Sequence, residues 1–140
     1  WTDGENGGFT SGTPWFKVNP RYKEINVEEA LEDRDSVFYY YQKLIRLRHE
    51  EDILTEGSYR LLLPEDESLF VYQREYNGKR WMVAANLTEA PVSAGRLEGI
   101  LYPGYRVILQ NEPELMKDGA IQPFEAFIVE EQLSSAGEIS

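Results

Sequence analysis

Asn77-Gly78 stands between two β-rich runs, Glu67–Tyr76 and Lys79–Leu87. This dipeptide best tolerates the positive φ that both central residues of a type I′ turn require, so it predicts a two-residue β-hairpin. Such a loop fixes the register: Tyr76 opposite Lys79, Tyr72 opposite Val83 and Phe70 opposite Ala85. Because side chains alternate along a strand, Phe70, Tyr72, Trp81, Val83 and Ala85 share one face, and Leu69, Val71, Met82 and Ala84 share the other. Both faces are largely apolar at the strand middles. The pair is therefore expected inside a sheet rather than at its rim.

Further β-rich stretches lie at 58–63, 94–98, 105–110 and 120–129. Turn signals separate them: Pro64-Glu65-Asp66, Tyr102-Pro103-Gly104 and Asn111-Glu112-Pro113. Short strands at regular intervals predict a mainly β architecture, an antiparallel sandwich of Greek-key type. The polar, small-residue tail at 132–140 is expected to be disordered. With 140 residues the chain can bury a real core. It is too short for a complete (β/α)8 barrel, which needs about 200 residues or more.

The first 50 residues read differently. Residues 1–27 carry Gly4, Gly7, Gly8, Gly12, Pro14 and Pro20, yet also Trp1, Phe9, Trp15, Phe16, Tyr22 and Ile25. Disordered linkers are poor in aromatics, so an ordered loop that packs its rings onto a body is expected. Asn26-Val27-Glu28-Glu29 resembles a capping box and predicts a short helix at 27–32. The run 36–50 has no Gly or Pro and predicts the main helix. At about 100° per residue, Val37, Phe38, Tyr40, Tyr41, Leu44, Ile45 and Leu47 cover an arc of about 180°, wider than the stripe of about 100° that one core asks for. Such a helix is built to lie between two partners. Arg48 falls inside the arc, whereas Gln42, Lys43, Arg46 and His49 mark the wet side.

Composition narrows the functional classes. A formal charge of −11 disfavours nucleic acid and anionic membrane surfaces as partners. The absence of cysteine excludes disulfides, thiol nucleophiles and thiolate zinc sites, and a single histidine excludes multi-histidine metal sites. No metal and no cofactor are expected. No run of about 18 apolar residues is present, and no signal-like segment opens the sequence, so a cytoplasmic location is expected. The abrupt opening at Trp1, in a loop-like stretch, predicts a piece of a larger protein.

Candidate chemistry is sparse. The carboxylate clusters Glu28, Glu29, Glu32 and Asp33, then Glu50, Glu51 and Asp52, then Glu65, Asp66 and Glu67, fall at helix ends and turns, where solvated surface charge is the default. His49 has no serine or aspartate at motif spacing and reads as a cation at a helix C-terminus. Gly7-Gly8 lacks the strand–turn–helix context of a phosphate loop and reads as a turn. Asn86-Leu87-Thr88 matches a glycosylation sequon but reads as a strand end where the asparagine caps a turn. Trp81 reads as core. Trp1 and Trp15 could stack on sugar rings, as a free-standing carbohydrate-binding module would use them.

One resemblance goes beyond these residues. Gly8-Phe9, Thr13-Pro14-Trp15, Val18-Asn19-Pro20, Tyr22, Ile25-Asn26-Val27, Asp35 to Phe38 and Tyr41 to Arg48 resemble the carboxyl-terminal third of the α-glucosidases of glycoside hydrolase family 13. The likeness continues through Asp52 to Gly57, the strand ending at Asn86, and Gln122-Pro-Phe-Glu-Ala126. It implies that 1–53 is the tail of a catalytic barrel, comprising the loop after strand eight and its last helices, and that 54–131 is the C-terminal β-sandwich. It also implies a parent enzyme that hydrolyses short α-linked glucosides, α-1,6-glucosides such as isomaltose or trehalose 6-phosphate, with retention. The family's catalytic aspartates and glutamate match no position here, so no catalytic residue is expected. Trp1 resembles the tryptophan of the family's Gln-Trp-Asp motif, with Thr2 in place of the aspartate. Trp1 and Asn6 are the candidates for the rim of the substrate cleft. The expected partners are the chain's own missing barrel and the oligosaccharide, together with self-association through the 36–50 helix.

Overall fold

The computed structural model describes residues 1–131. The tail at 132–140, expected to be disordered, lies outside the described residues. The chain divides into two compact units, Trp1–Glu50 and Glu51–Ser140.

The first unit is a loop followed by two helices. Short 3₁₀ turns at Glu5–Gly8 and Pro20–Lys23 punctuate the loop. Helix α1 spans Val27–Glu32, and Asn26 caps it as its sequence predicts: Oδ1 accepts from the Glu29 backbone N–H at 2.9 Å. The Asn26 amide also donates to the Tyr22 carbonyl, which ties the cap to the preceding turn. Helix α2 spans Val37–Glu50. Three contacts lock the pair: Ser36 Oγ donates to the Ala30 carbonyl at 2.7 Å, the Tyr39 hydroxyl donates to the Leu31 carbonyl at 3.0 Å, and Arg34 lies over the Tyr39 ring.

No α2 residue is buried. Leu44 and Leu47 are half-buried, while Val37 is 82% and Tyr41 63% exposed, with Phe38 and Ile45 also exposed. The wide apolar arc is therefore present, and a large part of it is open to solvent. Burial raises the Tyr40 phenol above its usual range, so this ring is on the more enclosed side of the helix.

The second unit is antiparallel β. A 3₁₀ turn at Asp52–Leu54 leads into β1 (Ser58–Leu62), followed by the hairpin of β2 (Leu69–Tyr76) and β3 (Lys79–Asn86). The turn is as the dipeptide requires, with φ of 47° at Asn77 and 77° at Gly78. The pairs Tyr76–Lys79, Tyr72–Val83 and Phe70–Ala85 are all formed. Next come β4 (Val92–Ser93), β5 (Arg106–Gln110), β6 (Ala120–Ile121) and β7 (Ala126–Glu131). Five strands form one sheet in the order β1-β2-β3-β7-β5, and β4 pairs with β6 in a second sheet of two strands.

Two expected strands differ. The 94–98 stretch is a 3₁₀ turn, Ala94–Leu97, because the Ser93 hydroxyl accepts from the Gly95 N–H and starts a turn where alternation alone would continue a strand. The 120–129 stretch is broken into β6 and β7 by a turn in which Phe124 has φ 59°. The core lies on one face of the large sheet. Leu69, Val71, Met82, Ala84, Phe127 and Val129 are buried there with Val92, Leu97 and Ile121. Each large side chain so buried stabilises the fold by about 1.5–3 kcal/mol. The hairpin pair does sit in the sheet interior, but its second face is only half covered. Phe70 is exposed, and Tyr72, Val83 and Ala85 are intermediate. Trp81 shares that face and is 1% exposed, as expected of a core residue.

Candidate functional site: an aromatic cleft in the N-terminal loop

The loop of the first unit is shaped by backbone that favours glycine. Asn6, Gly7 and Gly8 have φ of 54°, 69° and 69°. A Cβ on Gly8 would fall 2.5 Å from Thr2 Oγ1, so the position admits only glycine without a shift of Thr2. The turn closes through Thr2 N–H donating to the Gly7 carbonyl at 2.8 Å. Asn6 then spans the next stretch, its Nδ2 donating to the Thr10 and Gly12 carbonyls at 3.2 and 3.1 Å. The Trp1 carbonyl in turn accepts from the Glu28 N–H at the start of α1.

This folding gathers aromatic rings around a cleft of about 400 Å³. Trp1 and Asn6 line it together, with Phe9, Thr13, Trp15 and Phe16. Trp1 and Phe9 have ring centroids 6.1 Å apart, and Trp15 and Phe16 are 4.5 Å apart. Trp15 is 92% exposed. The lining offers ring faces, threonine hydroxyls and the Lys17 ammonium, with no carboxylate. Such a surface can stack on and hydrogen-bond a polyol. Trp1 and Asn6, the two residues named as rim candidates, both line this cleft. Asn6 also ties down the loop through its bonds to the Thr10 and Gly12 carbonyls, a contact that its sequence did not reveal.

None of the clustered carboxylates lines this cleft. Glu28, Glu29, Glu32, Asp33, Glu50, Asp52, Glu65 and Glu67 are exposed, and so is His49. Glu51 and Asp66 are half-buried; Glu51 pairs with Lys79 at 3.4 Å, and Asp66 is built into the fold. Its Oδ1 accepts from the Ser68 and Leu69 N–H groups, and Arg96 binds the carboxylate at 2.8 Å. The hydrogen bond from the Leu69 backbone, then that from Ser68 and the Arg96 guanidinium, hold this carboxyl below its usual range, against the opposing effect of burial. Among the described residues no group of three or more His, Cys, Asp or Glu side chains could hold a metal ion.

Three polar residues of the second unit emerge only in three dimensions. Glu125 is wholly buried, accepting from the Met116 N–H at Oε1 and from the Gln122 N–H at Oε2. Arg74 donates to the Ile53 and Gly57 carbonyls. Asn86 does cap a turn, accepting from Thr88, but it also donates to the Ala90, Ile121 and Gln122 carbonyls. That last set links the hairpin to the β6 region, a long-range tie with no local signal. None of the three lies near the cleft in sequence, and all serve the fold.

The Alpha amylase, catalytic domain family model matches residues 1–57. The structure resembles that of a variant of Bacillus licheniformis trehalose-6-phosphate hydrolase, with a TM-score of 0.83 and 38% identity, over 93% of this chain and 24% of that one. The chain is thus similar to members of the α-amylase family of glycoside hydrolases, family 13. Within that family it is 45% identical to the oligo-1,6-glucosidase of Heyndrickxia coagulans over 128 residues, 91% of this chain and 22% of the relative. It is 43% identical to the trehalose-6-phosphate hydrolase of Escherichia coli over 131 residues, 90% of this chain and 23% of the relative. The chain thus spans about a quarter of the length of the curated relatives it matches. Among the described residues no helix is long and apolar enough to cross a membrane.

Proposed function

We propose that this chain is the C-terminal, non-catalytic part of a cytoplasmic retaining α-glucosidase that hydrolyses short α-linked glucosides, either α-1,6-glucosides such as isomaltose or trehalose 6-phosphate. Residues 1–53 would be the tail of the catalytic barrel, and 54–131 a C-terminal β-sandwich of Greek-key type. The observation that carries this reading is α2, whose apolar arc is folded, regular and left open where a barrel would cover it. The high identity to oligo-1,6-glucosidases and trehalose-6-phosphate hydrolases supports the substrate class.

In this reading the reacting carboxylates come from outside these 140 residues. One would form a covalent glycosyl intermediate and the other would protonate the leaving oxygen. This chain closes the barrel and carries Trp1 and Asn6 to the rim of the substrate cleft, where the ring of Trp1 stacks on a sugar beyond the scissile bond. The test has two arms. The 140-residue chain should not hydrolyse nitrophenyl α-glucoside, and turnover by it would overturn the non-catalytic assignment. In the complete enzyme, Trp1→Ala should lower kcat/KM for the glucoside; an unchanged value removes the rim role.

A second reading is supported by Trp15 and Phe16, exposed rings with centroids 4.5 Å apart. This is a free-standing carbohydrate-binding module. Micromolar binding of a glucan by the chain alone would favour it, and no binding at millimolar glucan would exclude it.

A further inference from the structure

We draw no further inference here: the strongest candidate, the aromatic patch of Tyr59, Phe70 and Tyr72 on the outer face of the five-stranded sheet, is an unpartnered apolar face and nothing in the structure shows what covers it.

Discussion

The indole N–H of Trp81 donates to the Glu130 carboxylate at 2.7 Å, joining β3 to β7 across a directly opposed pair. This contact, with Arg106 on the neighbouring strand at 3.1 Å, holds the Glu130 carboxyl below its usual range despite partial burial. A depressed carboxyl contributes stability that is present above its unfolded value of about 4.3 and is lost as pH falls through the folded value. Glu130→Gln should therefore flatten the fall of stability below about pH 4.3. Some slope should remain, because Asp66 is depressed in the same sense. Urea midpoints measured from pH 3 to 7 check this, and identical slopes in both proteins would show that Glu130 is not the linked group.

Arg74 clamps the turn that opens the second unit. Its Nε donates to the Ile53 carbonyl at 2.9 Å and its Nη2 to the Gly57 carbonyl at 2.8 Å. Hydrogen bonds from a charged donor are worth about 1.5–3 kcal/mol each, so Arg74→Met should cost about 2 kcal/mol or more. Gly57 is constrained independently, since an added Cβ would lie 2.3 Å from the Ile53 carbonyl oxygen. Gly57→Ala should cost about 1–3 kcal/mol by overpacking against backbone that cannot swing aside. Chemical denaturation reads both, and a Gly57→Ala midpoint equal to the parent's would mean that the turn relaxes freely.

Glu125 anchors the connection between β5 and β7. Replacing it by alanine strands the Met116 and Gln122 N–H groups, at about 1–3 kcal/mol for each donor left dry. Glu125→Gln should also destabilise, because one acceptor becomes an NH2 facing an N–H. Met116 has φ 48°, so its strained backbone should relax when the acceptor goes. The expected result is a lower melting temperature and faster hydrogen exchange at residues 116 and 122. Native protection at both amides in the alanine variant would refute the anchor.

The open face of α2 should drive association of the chain by itself. Exposed contiguous apolar surface beyond a few hundred Å² is uncommon on monomers. Light scattering should detect a dimer or larger species. Changing Tyr41 and Ile45 together to glutamate should return it to monomer without lowering the melting temperature, since both side chains are exposed. A monomeric parent chain at high concentration would contradict this.

How far the sequence could be read depended on where the deciding contact lay. The hairpin register followed from two residues, because Asn77-Gly78 leaves one geometry and period-two alternation fixes the rest. The helix limits followed from Asn26 and from the unbroken run after Ser36. The 94–98 error arose because Ser93 makes a local hydrogen bond that competes with the strand. The 120–129 error arose because a carboxylate at position 125 takes two N–H groups of its surroundings into a turn, which no periodicity reports. The cleft was half legible: the family resemblance pointed to Trp1 and Asn6, which both line it, but the Asn6 clamp on residues 10 and 12 is a loop closure that no periodicity reports.

The placement of β7 has a consequence for biogenesis. It pairs with β3 on one side and β5 on the other, although it follows both in the chain. Until residues 126–131 have left the ribosome, the hairpin half and β5 have no shared backbone ladder and their inward edges stay bare. Assembly of this sheet must therefore await the synthesis of residues 126–131, and a chain that lacks them carries two bare inward edges that other strands can pair with.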